Sequence, residues 1–158
     1  MAYSNWTIGW QEINRLGKQL QGLEDSLDEA ITNALDETGK YVTRETQKAI
    51  SSSPHNFHRT GETLKLLDDN PKTTLHHWRG RTVGSINTGF KLRSDSGDLI
   101  SLAPIYLMYG TNPKNGKGVR PDSNLKNAVK GEGLHRAKIQ KIQQDEFNKV
   151  ISKVMEKK

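Results

Sequence analysis

The sequence contains no cysteine, few aromatic residues (6%) and only 32% hydrophobic residues. The absence of cysteine excludes a disulfide framework and thiolate chemistry, and it is typical of a reducing compartment. The low apolar content predicts a thin hydrophobic core, and chains with thin cores often gain stability by oligomerising. The chain has no run of about 18 apolar residues, which predicts no membrane-spanning helix. The N-terminus also lacks the basic and then apolar pattern of a secretory signal.

Acidic residues are fewer than basic ones, so the formal net charge is +6 and the isoelectric point is near 9.5. A positive balance of this size is compatible with nucleic-acid contact. However, the Lys and Arg residues are scattered, and many Asp and Glu residues stand beside them in the helical segments. This pattern favours ordinary solvated helix faces over a dedicated basic surface.

The length of 158 residues predicts a single domain. Apolar residues recur at spacings of three and four from Ile13 to Ile50, which predicts a long amphipathic helix, or two helices if the chain breaks near Gly17, Gly22 or Gly39. About forty helical residues would span roughly 60 Å and overhang the domain. Trp6 and Trp10 alternate with polar residues before this helix and suggest an anchor. The predicted divisions are an N-terminal arm or strand over 1–10, a long helix over 11–50, a β-meander over 72–110, a flexible loop over 112–121 and a C-terminal helix over 137–156.

The most strand-like stretch lies within 103–111, where Pro104 precedes a run of large apolar residues and Gly110 follows it. This pattern predicts a central strand that is buried on both faces. Successive side chains would alternate between the two faces, with Ile105, Leu107 and Tyr109 on one and Tyr106 and Met108 on the other. We expect Gly110 to end the strand with a positive φ. The predicted fold class is therefore α+β, with a long N-terminal amphipathic helix and a C-terminal helix packed on a small antiparallel β-sheet.

The histidines give no recognisable catalytic or metal-binding motif. Four of them form two clusters with two aspartates between, but a His-x-x-His loop is not the i, i+4 helical pair of zinc hydrolases. Adjacent residues of a strand point to opposite faces and cannot share one metal ion. We therefore predict no catalytic residues, no metal and no cofactor. The residues concerned are His55, His58, His76, His77, Asp68 and Asp69.

The stretch Gly110–Gly118 does not fit a phosphate-binding loop. Five residues separate Gly110 from Gly116 where four are required, and Lys117 is followed by Gly118 rather than by a hydroxyl residue. What remains is a flexible basic loop that contains Lys114, Lys117 and Arg120. Such a loop can bind phosphate without sequence specificity, or it can become ordered against a neighbouring subunit.

Several short motifs follow one another along the chain in a fixed order. They consist of Pro54, Arg59, Thr60, Gly61, Leu64, the run Tyr106–Thr111, Pro121, Leu125 and Ala128. This order resembles a family of tailed-phage morphogenesis proteins, the tail-component or tail-completion proteins of siphoviruses and prophages, and the resemblance covers roughly residues 10–157. Three positions depart from the family pattern: Ala103 stands where a Tyr is frequent, Met108 where a Glu is frequent, and Asn127-Ala128 in place of Pro-Ala.

The resemblance implies a non-enzymatic virion protein at the head–tail junction, present in the bacterial cytoplasm during assembly. Its expected partners are further copies of itself in a ring of six or twelve subunits, neighbouring neck or tail proteins, and packaged DNA contacted without specificity. The alternative is a phage-encoded DNA-binding protein or metal-dependent nuclease. The expected interaction residues are Trp6, Trp10, Thr60, Gly61, Tyr106, Tyr109, Gly110, Thr111, Lys114, Lys117, Arg120 and Pro121.

Overall fold

The computed structural model describes residues 3–8, 24–53, 60–79, 81–111 and 118–156 of the chain. Three strands and five helices lie in these ranges. None of the described helices combines the length and the hydropathy that crossing a bilayer requires. The elements in chain order are β1 (Tyr3–Ile8), α1 (Glu24–Ser51), α2 (Thr60–Leu66), β2 (Thr73–Trp78), β3 (Arg81–Gly89), α3 (Ala103–Tyr109), α4 (Ser123–Lys130) and α5 (Leu134–Glu156).

The α+β fold class is confirmed, and the sheet is a three-stranded antiparallel one with the order β1-β3-β2. The central strand β3 pairs with β1 from Tyr3 opposite Gly89 to Ile8 opposite Gly84. Its other edge pairs with β2 up to Trp78 opposite Arg81, which forms a tight hairpin. Alternate residues of β3 from Gly84 onward are buried, as expected for a strand with one face against a helix.

Helix α1 is the element on which the rest of the domain packs. Its 28 residues span about 42 Å and contribute to three separate core clusters. Ile31 and Leu35 meet β3, and Phe147 of α5 packs against the same cluster. Further along, Tyr41 packs with Ile139 of α5. The core is therefore divided into three clusters along one helix, which agrees with the thin core predicted from the low apolar content.

Two glycines let α1 and the sheet approach each other closely. A Cβ atom on Gly39 would lie 2.6 Å from Cδ1 of Ile86, and a Cβ on Gly84 would lie 2.3 Å from Cγ2 of Ile31. Gly39 therefore does not break α1, although glycine in a helix interior disfavours the helix by about 1 kcal/mol. Any part of the predicted helix over 11–23, including breaks at Gly17 or Gly22, lies outside the described residues.

The prediction of a central strand over 103–111 is wrong, because this stretch forms helix α3. The predicted β-meander over 72–110 accordingly ends at Gly89, apart from isolated bridges after it. A short apolar run is ambiguous between a buried strand and a buried helix, and Pro104 suits the first turn of a helix as well as the start of a strand. The burial follows a helical spacing, with Pro104 and Met108 buried but Tyr106 and Tyr109 exposed.

The predicted flexible loop over 112–121 is described only in part. Residues 112–117 lie outside the described ranges, and 118–122 have no regular secondary structure. The C-terminal helix predicted over 137–156 begins three residues earlier, at Leu134. Its side chains pack chiefly on α1.

Candidate functional site

Helix α3 presents two tyrosines to solvent while its opposite side is fixed in the core. Met108 is 1% exposed and belongs to a core cluster with Phe90 and Leu125. Tyr106 and Tyr109 lie three positions apart, on one side of the helix, and are 46% and 49% exposed. The aromatic rings are therefore held on a rigid base, as required of residues that anchor a protein interface.

Two lysines of α4 lie over one of these rings. The Nζ atoms of Lys126 and Lys130 are 5.3 Å and 5.4 Å from the centroid of the Tyr109 ring, within the range of cation–π attraction. A side-chain hydrogen bond with Tyr109 raises the pKa of Lys130. We call the group Tyr106, Tyr109, Lys126 and Lys130 the Tyr109 face. Its exposed rings and ammonium groups suit a partner surface with apolar and acidic parts.

An N-cap positions α4 and therefore both lysines. Asp122 is 6% exposed, and its Oδ1 accepts hydrogen bonds at 3.0 Å from the backbone N–H groups of Asn124 and Leu125. Its other oxygen accepts a 2.7 Å bond from the hydroxyl of Ser53, just beyond the end of α1. This carboxylate satisfies the unpaired donors of the first turn of α4 and ties that turn to the end of α1.

Gly110 ends α3 in the left-handed region, with φ of 74°, so the expected positive φ is confirmed although the element it ends is a helix. A Cβ atom there would lie 2.8 Å from the carbonyl oxygen of Val119 and 3.0 Å from Cδ of Pro121. Beside it, the N–H of Thr111 donates to the Val119 carbonyl at 3.0 Å, and the Val119 N–H donates to Oγ1 of Thr111 at 2.9 Å. Thr111 and Val119 are thus held together beside the end of α3.

The other predicted interaction residues lie on several elements. Arg120 and Pro121 are exposed beside the Gly110 turn, and Gly61 is exposed in α2, which begins at Thr60. Trp6 stands in β1 opposite Ile86. Trp10, Lys114 and Lys117 lie outside the described residues.

Sequence reasoning missed Lys126 and Lys130, although residues four apart lie on one side of a helix and this spacing was a usable signal. It also missed the exposed pair Trp78 and Arg79, whose guanidinium carbon lies 4.7 Å from the indole ring. The sequence pattern predicted strands in this stretch, but nothing in it showed that the tryptophan would be exposed.

His77 has two structural partners. Nε2 of His77 lies 3.3 Å from a carboxylate oxygen of Asp28, and its Nδ1 lies 3.1 Å from the hydroxyl of Thr82. Among the side chains that the structure describes, no three His, Asp or Glu residues are placed to share a metal ion. His55 and His58 fall within 54–59, outside the described ranges.

Comparisons with known proteins do not assign this chain to a family. No family model, no curated protein and no solved structure matches it. The resemblance to phage tail-completion proteins therefore rests on the order and spacing of the short motifs.

Proposed function

We propose that this protein is a structural morphogenesis protein of a tailed phage or prophage that acts at the head–tail junction as a ring subunit. The observation that supports this proposal is the convergence of the family-like motifs. Leu64 belongs to the motif that begins with Thr60-Gly61. It packs against the same core cluster as Met108, from the run Tyr106–Thr111, and Leu125, from the motif that follows Pro121. Motifs that are separated by many residues in the chain thus build one local structure.

That local structure supports an exposed platform. The buried sides of α3 and α4 form part of the cluster, and the outer sides carry the Tyr109 face. Next to it, two hydrogen bonds hold Thr111 and Val119 together, and Arg120 is exposed. A rigid aromatic base beside an exposed cation is a suitable docking surface for a neck or tail protein.

Ring formation requires two different surfaces on each subunit, because a head-to-tail interface joins unlike patches. Large apolar side chains are exposed on several elements and are available for contacts between subunits. They include Leu134 at 91%, Met155 at 63% and Ile100 at 52% exposed. Burial of these groups between subunits would add to a core that is divided into three small clusters.

The test is a joining assay with the phage or prophage that encodes the protein. Deletion of the gene should leave filled heads and free tails that do not join, and purified protein added to the lysate should restore infectious particles. Infectious particles formed at the normal level without the protein would refute the proposal.

A matched pair of glycine substitutions localises the joining function. Gly110→Ala places a Cβ atom against the Val119 carbonyl oxygen. Gly97 also has a positive φ, which disfavours alanine, but a Cβ atom added there meets no atom within 4 Å. We expect Gly110→Ala to lose joining while its circular dichroism stays native, and Gly97→Ala to keep joining. Equal activity of the two variants would remove the Gly110 turn from the proposal.

The alternative is a phage-encoded DNA-binding protein or metal-dependent nuclease. Only its nucleic-acid part has support, from Arg79 and Arg81, which are exposed where β2 and β3 meet. Incubation of the purified protein with plasmid DNA and Mg²⁺ or Mn²⁺ tests the nuclease part. Metal-dependent cleavage, together with normal joining in the deletion phage, would favour the alternative.

A further inference from the structure

The hairpin between β2 and β3 carries a concentrated basic and aromatic group at its tip. Trp78 pairs with Arg81, so only residues 79 and 80 connect the strands. Arg79 has a φ of 48°, the left-handed conformation that tight two-residue hairpins use. Trp78, Arg79 and Arg81 are all exposed, and we call these three residues the hairpin tip.

The indole of Trp78 is 64% exposed although the Arg79 guanidinium lies over its ring. Tryptophan is on average a highly buried residue, so this exposure calls for a physical reason. The guanidinium carbon lies 4.7 Å from the ring centroid, within the range of cation–π attraction, and much of the aromatic surface stays open to solvent. The geometry is that of a preformed stacking surface.

Contacts with α1 hold this hairpin in place. Nε2 of His77 lies 3.3 Å from a carboxylate oxygen of Asp28 on α1, within ion-pair distance. Nδ1 of the same ring lies 3.1 Å from the hydroxyl of Thr82. The Asp28 carboxylate is thereby engaged by His77. Among the side chains that the structure describes, no carboxylate lies within ion-pair distance of Arg79 or Arg81.

We propose that the hairpin tip is a nucleic-acid contact site, in which Arg79 and Arg81 bind backbone phosphates and Trp78 stacks on a base. Guanidinium groups bind phosphate through paired, charge-assisted hydrogen bonds. Stacking on an exposed aromatic ring tolerates any base, so the contact needs no particular sequence. The net charge of +6 attracts the same polyanion over a longer distance. Charge complementarity thus identifies the occupant.

This inference does not rest on the proposed function. It concerns a surface on the hairpin, and purified protein is sufficient to test it. Nucleic-acid binding by the tip can therefore succeed or fail whatever the joining assay shows.

The first experiment measures binding of fluorescein-labelled oligonucleotides of about 30 nucleotides, single-stranded or duplex, by fluorescence anisotropy. The variant Arg79→Asn/Arg81→Gln removes both charges, and asparagine suits the positive φ at position 79. Two phosphate contacts weaken binding about tenfold when NaCl is raised from about 50 to about 200 mM. The affinity of the variant should therefore fall about tenfold less than that of the wild type over this range.

The matched control is Arg136→Gln/Lys138→Gln, which removes two charges from exposed positions of α5. This control should keep the steepness of the wild-type salt dependence. An equal reduction in both double variants would show that binding follows net charge alone and would overturn the proposal. Failure of the wild-type protein to bind either oligonucleotide at low salt would overturn it as well.

The second experiment isolates the stacking surface. Trp78→Leu keeps an exposed apolar side chain but has no aromatic face, so single-strand affinity should fall about 5- to 150-fold, the range for losing one stacked base. Unchanged affinity for both oligonucleotides would refute the role of Trp78. Poly-L-glutamate serves as a competitor for the labelled oligonucleotide. If it competes as strongly as unlabelled DNA at the same concentration of charges, the site would suit an acidic protein, and the nucleic-acid assignment would be refuted.

Discussion

Gly84 provides the sharpest test of how this domain is packed. It lies in the central strand β3, and its missing side chain would point into α1, 2.3 Å from Cγ2 of Ile31 and 2.6 Å from Cδ1 of Leu35. Both neighbours are fully buried. The branched Ile31 side chain is stiff at χ1, so it cannot turn away without leaving its rotamer. We therefore expect Gly84→Ala to force the helix and the sheet apart.

Two opposing effects set the magnitude. Replacing glycine by alanine inside a strand favours folding by about 0.5–1 kcal/mol. Overpacking a close-packed core disfavours it by about 1–3 kcal/mol. Because the contact with Ile31 is much shorter than van der Waals distance, overpacking should dominate, with a net loss of about 1–2 kcal/mol in the free energy of unfolding. For a chain of this size, that loss lowers Tm by about 2–8 °C.

Urea denaturation followed by circular dichroism measures this loss, with Gly61→Ala as the control. A Cβ on Gly61 meets no atom within 4 Å, and alanine is the better helix former by about 1 kcal/mol, so this variant should be as stable as the wild type or more stable. Adding Ile31→Ala to Gly84→Ala should destabilise by less than the sum of the two single changes, because it removes the clash. A fully stable Gly84→Ala protein would refute the close approach of α1 to β3.

Three further predictions concern the helices. Asp122→Ala should lower the free energy of unfolding by about 0.5–2 kcal/mol in urea denaturation, because it removes the N-cap of α4; unchanged stability would contradict that role. Met108→Ala should lower it by about 2–5 kcal/mol if α3 is anchored as described, and a loss below 1 kcal/mol would contradict burial of this side chain. Burial raises the pKa of Tyr41, whose hydroxyl lies 2.8 Å from His135, so the unfolded chain loses this proton first as pH rises. The wild type should therefore lose stability above about pH 10 more steeply than Tyr41→Phe does in thermal melts, and parallel pH profiles would contradict it.

Periodicity predicted the elements whose pattern is long. The apolar residues of α1 recur over seven turns, and Ile31, Leu35 and Val42 are buried as that spacing requires. The C-terminal helix could be predicted in the same way, because its apolar residues recur at helical spacing and two of them, Ile139 and Val150, are buried. In both helices the local pattern and the tertiary contacts agree, which is why sequence reasoning was sufficient.

The run Ile105–Tyr109 shows where that reasoning fails. Five adjacent apolar residues have no period of their own, so propensity alone decided in favour of a strand. The run forms a helix because this places Met108 in the core cluster with Phe90 and Leu125, while Tyr106 and Tyr109 are exposed to solvent. That arrangement depends on residues far away in the chain, and no local window contains it.

The sequence by itself determined the α+β class, the long helix, the glycine turn at position 110 and the excess of positive charge, because each follows from composition or from a local spacing. Only the tertiary structure decided which surfaces these residues form. The Tyr109 face exists because α3 and α4 pack side by side, and the hairpin tip is exposed because the strand register ends at Trp78 and Arg81. Contacts between distant segments are selected by packing and burial over the whole chain, and these are not encoded in any single stretch of it.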